Sequence, residues 1–347
     1  MQTIIKQVAG IDAAQKELVV TLGRMTDQWV LEIYGYKTFT NSPQGFMDLT
    51  DWVKKLTDPL VKVRYVMEAT GVYHEQLAYF LHAGDHNVSI VLPNKISNYF
   101  KTLEVKTITD KTASEAITRF GLERNLDNWR PSRPVYKKLR QLCRERDQIV
   151  QERTIVKNQL HAEKAEAFPL KSTIQRITKR IALLDKQEQE IREELAMLVK
   201  QDEEVSKSVK LITTIQGVGA LTAVTVLAET NGFELIRNKR QLTSYAGLDV
   251  REKQSGTSVK GKPKISKRGN RYLRKAMYFP ALTAIRHNER FKAIYARLIS
   301  KHGIKMKAGV AIQRKLLELI YTIYKTNKPF DPNYFKGVVE EKQNAVA

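Results

Sequence analysis

Ile174, Ile177, Ile181, Leu184, Ile191, Leu195 and Leu198 recur at spacings of 3, 4, 3, 7, 4 and 3. This is a heptad seam, and a helix carrying one needs a partner helix to cover its apolar stripe. Leu139, Leu142, Ile149, Val156 and Leu160 form an earlier, looser seam, with Phe168-Pro169 between the two. The spacing predicts a long antiparallel coiled-coil hairpin bent near Pro169, serving as a scaffold or assembly arm. Upstream, Asn128–Pro134 (NWRPSRP) carries two prolines and marks a boundary.

The segment before that boundary reads differently. Strand-like stretches fall at Gln7–Leu22 (two strands and a turn), Trp29–Phe39, Val61–Met67 and Val88–Leu92. Helical spacing falls at Phe46–Leu56, Tyr73–Leu81 and Thr112–Leu122. Strands first and then strand–helix alternation predict a mixed sheet with helices packed on it. Residues 207–335 read as mainly helical, with a loop-like basic insert at 250–270 and a flexible tail over 336–347. The expected fold class is α/β plus all-α, with domains at 1–130, 131–206 and 207–335.

Charge separates the same halves. Residues 1–130 hold 15 basic and 15 acidic residues; the whole formal charge of +22 lies in residues 131–347. A neutral part joined to a strongly basic one fits chemistry in the first and polyanion binding in the second. Hydrophobic residues at 42% exclude a disordered basic tail. A lone Cys143 excludes internal disulfides and multi-cysteine zinc sites. No apolar run is long enough to span a bilayer and no signal peptide is apparent, so a cytoplasmic, nucleoid-associated protein with no membrane partner is expected.

Three constellations carry chemistry. Asp12 interrupts an apolar strand (VAGID), Glu68 ends another (YVMEATG) and Asp110 opens a helix. Alone, Glu68 at a strand end reads as a turn residue and Asp110 as a helix cap, whereas a carboxylate inside an apolar strand, as at Asp12, costs more because its charge must be paired or metal-bound. Together on neighbouring strands and a nearby helix start they could converge on Mg²⁺, which takes oxygen ligands and can clamp the oxygens of a phosphoryl transfer. Ile215–Ala223 (IQGVGALTA) gives a helix-hairpin-helix type signal, in which Gly217 and Gly219 let a phosphate approach the backbone; a plain glycine-rich connection fits equally. Arg251–Lys275 carries ten basic residues and one acid, Glu252, and begins with Ser255-Gly256-Thr257-Ser258. It reads either as a basic loop gripping phosphates or as a serine hydroxyl poised for attack in a dense positive field. Lys260, Lys262, Lys264, Lys267, Arg268, Arg271 and Arg274 would hold phosphates.

The blocks GIDAAQKEL, MEATGVYHEQLAYFLHAG, IQGVGALTA, SYAGL, QSGTSVKGKPKISKRGNRYLRKAMY and NKPFD follow one another in order over residues 7–332. In that order the chain resembles the insertion-sequence transposases with a RuvC-like N-terminal domain and a catalytic-serine C-terminal domain, the bridge-RNA-guided DNA recombinases. The resemblance implies an RNase H fold over 1–130 with Asp12, Glu68 and Asp110 as the first three of a DEDD set binding Mg²⁺. It implies Ser255 as the nucleophile that becomes joined to DNA, in a composite centre with the metal site. It implies dimers pairing into tetramers, donor and target DNA, and a structured guide RNA that carries the target sequences. The family's fourth acid stands three residues after the third, and here that position is Ala113. Glu115, about 140° round the helix from Asp110, or Ser114 through water, could substitute; an impaired copy is the third possibility. Two other functions stay open on the residues: a junction-resolving nuclease whose acids activate water, and a non-catalytic nucleic-acid-binding protein.

Overall fold

A computed structural model describes residues 3–331 except 70, 104–106, 108, 235, 253, 256–258, 262 and 263. The chain divides into two compact units, residues 1–131 and 132–347.

The first unit is built on a five-stranded sheet. β1 (Ile4–Ala13), β2 (Glu17–Thr26) and β3 (Leu31–Thr40) form an antiparallel meander, after which the chain enters α1 (Pro43–Leu56). β4 (Val63–Glu68) then pairs parallel to β1; α2 (Glu75–Ala83) leads to β5 (Asn87–Val91), parallel to β4. The strand order is therefore β3-β2-β1-β4-β5. α3 (Pro93–Phe100) and α4 (Asp110–Glu123) complete the unit. The sequence reading expects no α3: it is short and polar, and it begins at Pro93, which suits a first helical turn.

Alternation along the strands divides the core. Ala9, Ile11, Leu18, Val20, Leu22, Tyr65 and Met67 pack under α1 and α2. Val8 and Val66 face the other way and pack with Ile117, Phe120 and Leu122 of α4. Period-two alternation then places Gly10, Asp12 and Glu68 on the α4 face as well. At Gly10 the helix comes so close that a Cβ would stand 2.3 Å from Thr118 Oγ1 and 2.5 Å from the Thr118 nitrogen. Only glycine admits that approach.

The second unit opens with α5 (Pro134–Ala165) and α6 (Lys171–Gln201), separated by Phe168-Pro169 as the sequence suggests. Arg133 bonds Asp202, Arg146 bonds Glu188 and Arg153 bonds Asp185, so rising numbers on one helix meet falling numbers on the other: the pair is antiparallel. The buried Leu139, Leu142, Ile149, Val156, Ile177, Leu184, Ile191 and Leu195 belong to one core cluster. Glu188 lies among Arg146, Arg153 and Arg192. Burial pushes its carboxyl up, and the three guanidiniums more than offset this, holding it at about 2.

α7 (Glu203–Ile212), α8 (Ala220–Thr230) and α9 (Lys239–Tyr245) follow. The basic insert is not a plain loop. It is a ribbon in which β6 (Val250–Arg251), β7 (Gln254–Ser255), β8 (Val259–Lys260) and β9 (Lys264–Ile265) pair antiparallel, β6 with β9 and β7 with β8. Two-residue strands among lysines leave too little alternation to be read from sequence. The ribbon returns into α10 (Arg271–Ala276), α11 (Tyr278–His287), α12 (Glu289–His302) and α13 (Lys305–Thr326). No helix among the described residues is long and apolar enough to cross a membrane. The tail expected over 336–347 lies outside the described residues.

Candidate functional site

The parallel register pairs Ile11 with Met67, so the next residues, Asp12 and Glu68, end neighbouring strands on one face. α4 crosses that face antiparallel to β1: Gly121 packs at Val8 and Ser114 at Gly10. Its first turn therefore comes toward Asp12. Capping belongs to Thr109, whose hydroxyl accepts from Thr112 N (3.2 Å) while the Thr112 hydroxyl accepts from Thr109 N (2.8 Å). Asp110 is thus the first helical residue, exposed and released from the capping role.

The electrostatics tie the three together. Burial pushes the Asp12 carboxyl above the ordinary carboxylate range; the negative charges of Asp110 and Glu68 push it further, and a hydrogen bond from Ala13 N–H pulls back. Like charges gathered on a half-buried carboxylate are relieved by protonation or by a cation. Oxygen-only donors at this spot fit a hard divalent ion such as Mg²⁺. Among the described residues, however, no three His, Cys, Asp or Glu side chains stand close enough to hold one ion as they are.

One turn on from Asp110, Ala113 supplies no donor atom. Ser114 is fully buried, its hydroxyl 2.7 Å from Thr21 Oγ1 and donating to Lys111 O at 2.8 Å, which occupies it in packing. Glu115 is half-buried and lies round the helix past Lys111, whose ammonium sits over the Tyr36 ring of β3, so it stands on the β2–β3 side of α4. Sequence reading overlooks Asn41. Its amide donates to Ala14 O (2.8 Å) and Tyr73 O (3.0 Å), joining the chain just beyond Asp12 to the chain just beyond Glu68.

In the second unit, Ser255 lies on β7, opposite Val259 on β8. Gly256, Thr257 and Ser258, and likewise Lys262, lie outside the described residues. Lys260 is placed on β8 by its backbone. Lys264, Lys267, Arg268 and Arg271 are exposed. Arg274 is half-buried and donates to Ala246 O at 2.7 Å, which gives it a structural task. Gly217 has φ +92°, and a Cβ there would meet Thr283 Cβ at 3.1 Å, so the glycine turn lies against α11. Gly219 caps α8 without a side-chain bond and has open space where its Cβ would be.

A buried network anchors the ribbon. Glu229, 2% exposed, accepts two 2.8 Å bonds from Arg144 and one of 2.6 Å from Asn270. Asn270 Oδ1 in turn caps α10, accepting from Tyr272 N and Leu273 N. Tyr245 donates to Glu229 O. The partners lie 85 and 41 residues from Glu229, so no local pattern reveals them.

Comparison with known proteins adds to this geometry. A family model described as transposase, of the DEDD IS110 type, matches residues 9–169. A second, described as the transposase IS116/IS110/IS902 family, matches residues 209–296. The chain is 31% identical over 303 residues to the pilin gene-inverting protein of Moraxella bovis, covering 85% of this chain and 90% of the relative. The homologous protein of Moraxella lacunata matches to the same extent. A transposase for insertion sequence element IS1111A of Coxiella burnetii is 32% identical over 118 residues, 32% of this chain and 31% of that one. Among solved structures, T. thermophilus RuvC in complex with Holliday junction substrate aligns with a TM-score of 0.25 at 13% identity, over 35% of this chain and 99% of that one.

Proposed function

The chain belongs to the IS116/IS110/IS902 family of transposases, and from that premise we propose an RNA-guided, Mg²⁺-dependent recombinase that passes through a phosphoserine link to DNA. Membership makes it an enzyme that cleaves DNA and exchanges strands. The metal-dependent part of this reading rests on one observation above others, that Asp12, Glu68 and Asp110 come to one end of one sheet face and the last two raise the Asp12 carboxyl; the serine step and the guide RNA rest on the resemblance carried by the sequence blocks.

Asp12, Glu68 and Asp110 would hold the metal. When bound, Mg²⁺ supplies positive charge to the reacting phosphate and to the oxygen that leaves it. Ser255 Oγ attacks the DNA phosphorus and loses its proton; a P–O ester bond breaks, and the departing strand oxygen is protonated. The new serine ester conserves the energy of the broken bond, so a second strand's hydroxyl can reverse the step without ATP. Lys260, Lys262, Lys264, Lys267, Arg268 and Arg271 steady the phosphates through charge, and the backbone at Gly217 and Gly219 approaches them closely. Arg274 positions the chain around Ala246 instead. We assign metal binding to residues 1–130, assembly of dimers into tetramers to the coiled-coil arm, and serine chemistry to residues 207–335. Target choice is carried by the guide RNA, in the cytoplasm.

An SDS-stable adduct assay tests this. The protein is purified with its co-purifying RNA and mixed with the element's junction DNA and Mg²⁺. An adduct lost in Ser255→Ala and in the absence of Mg²⁺ is the expected result. Cut ends without any adduct would replace serine attack with water activated at the acids, and absence of both products would leave only nucleic-acid binding.

A further inference from the structure

Along α10 and α11 one exposed stripe mixes cations with bare apolar surface. Met277 joins the two helices in helical conformation, its N–H bonding Leu273 O and its O accepting from Ala281 N, so helical spacing runs through the junction. Arg271, Lys275, Phe279, Leu282 and Arg286 follow at intervals of 4, 4, 3 and 4, on one face. All five are exposed. Phe279 is 73% exposed and Leu282 37%; Tyr278, 41% exposed, stands edge-on to Phe279 with ring centroids 5.3 Å apart. The core need does not explain these residues, because α11 packs inward through Pro280, Ala281 and Ala284. Gly217 abuts the same helix at Thr283, whose hydroxyl bonds Phe279 O.

We propose that Phe279, backed by Tyr278 and Leu282, is a stacking platform for unpaired bases of the strand being exchanged. This deepens the recombinase reading and rests on it. The cations of the stripe have the sign that suits phosphates: Arg271 at one end, its guanidinium over the Tyr272 ring at 4.9 Å, and Arg286 at the other, with Lys275, which also pairs with Asp147, between them. A ring flanked by cations serves single-stranded nucleic acid, because every unpaired base offers a π-face and every nucleotide a negative charge. A paired duplex hides those faces. A second copy seated stripe to stripe is a poor occupant, since Arg271, Lys275 and Arg286 would meet the same three cations. The ribbon that bears Ser255 leads through residues 266–270 into α10, so the stripe starts sixteen residues after Ser255 along the chain.

The test uses the full-length protein with two probes of equal length, a DNA duplex with a central unpaired bubble and the same duplex fully paired. Phe279→Ala is expected to weaken bubble binding by about 5- to 150-fold and to leave duplex binding within about twofold. Phe279→Tyr, which keeps a ring, should bind like the parent, whereas Phe279→Leu, which keeps only apolar area, should not. Melting temperatures of all three should match, because the side chain is exposed. Equal losses on both probes, full binding by Phe279→Leu, or a fall in oligomer mass by light scattering in Phe279→Ala would each overturn the platform, the last in favour of a contact between copies. A Ser255 adduct that fails to form refutes the phosphoserine step but leaves the bubble-against-duplex difference standing, so the two failures are separable.

Discussion

Gly10→Ala should move α4 off the sheet and disturb the acidic site with it. The added Cβ would stand 2.3 Å from Thr118 Oγ1, 2.5 Å from Thr118 N and 2.8 Å from Ser114 O. Ordinary contact starts near 3.4 Å, so the helix must retreat by about 1 Å. That retreat stretches two buried bonds that hold α4 down, Thr118 Oγ1 to Thr21 O (3.0 Å) and Ser114 Oγ to Thr21 Oγ1 (2.7 Å). Overpacking costs about 1–3 kcal/mol and each weakened bond about 1 kcal/mol, giving about 3–5 kcal/mol in all. For a unit of this size the melting temperature should fall by about 10 °C or more. Asp110 begins the same helix, so the Mg²⁺ concentration needed for strand cleavage should rise too. Adding Thr118→Ala should not rescue the variant, because the clashes with Thr118 N and Ser114 O are with backbone. Gly23→Ala is the milder comparison: the three atoms nearest its Cβ are side-chain methyls of Thr118, Ile33 and Leu122 at 2.8–2.9 Å, none of them backbone, so its melting temperature should fall less than that of Gly10→Ala. Thermal melts at pH 7 and a Mg²⁺ titration of cleavage read both effects. A Gly10→Ala protein that melts with the parent, or one restored by Thr118→Ala, would refute the close-approach reasoning.

Three other outcomes follow from the geometry. Glu188 is held at about 2 against an ordinary 4.5, so its carboxylate contributes about 3 kcal/mol above pH 4.5 and loses it as the pH falls toward 2. Glu188→Gln should therefore lower arm stability near neutrality and converge with the parent in acid, as followed by helical circular dichroism against pH; parallel curves would refute it. Arg144→Met leaves the buried Glu229 carboxylate with Asn270 as its remaining side-chain donor among those seen, at a cost of about 3 kcal/mol; adding Glu229→Gln should recover most of that in denaturant melts, and no recovery would show that the charge is not the cause. Asn41→Asp removes both amide donors from Ala14 O and Tyr73 O, and should raise the Mg²⁺ requirement for cleavage several-fold with a smaller effect on melting; an unchanged requirement would free Asn41 of any positioning role.

Much of this architecture is written locally. VAGID and VKVRYVM announce their strands by β-branched content, and the isoleucine–leucine seam of α6 declares its period over about seven turns. Asp12 and Glu68 are legible because a carboxylate in an apolar strand is costly and so stands out. What escapes is either short or non-local. The ribbon strands have two residues each, too few for a period. The network of Arg144, Glu229 and Asn270 joins residues that look like ordinary surface charge until three helices bring them together. Asp110 is ambiguous in sequence because any Asp suits a cap; only Thr109 taking that place sets it apart. Ser114 is the reverse case, a candidate on spacing that Thr21, 93 residues away, draws into the core.

The arm formed by α5 and α6 also fixes a length. Each helix has just over thirty residues, and at about 1.5 Å per residue the pair extends about 45 Å. Glu188 clasps three arginines partway along, on both helices, so the two cannot slide past one another without breaking that clasp. Phe168 stands almost wholly bare at the far end. The arm's length is thus set by residue count alone: removing two heptads from each helix would shorten it by about 21 Å.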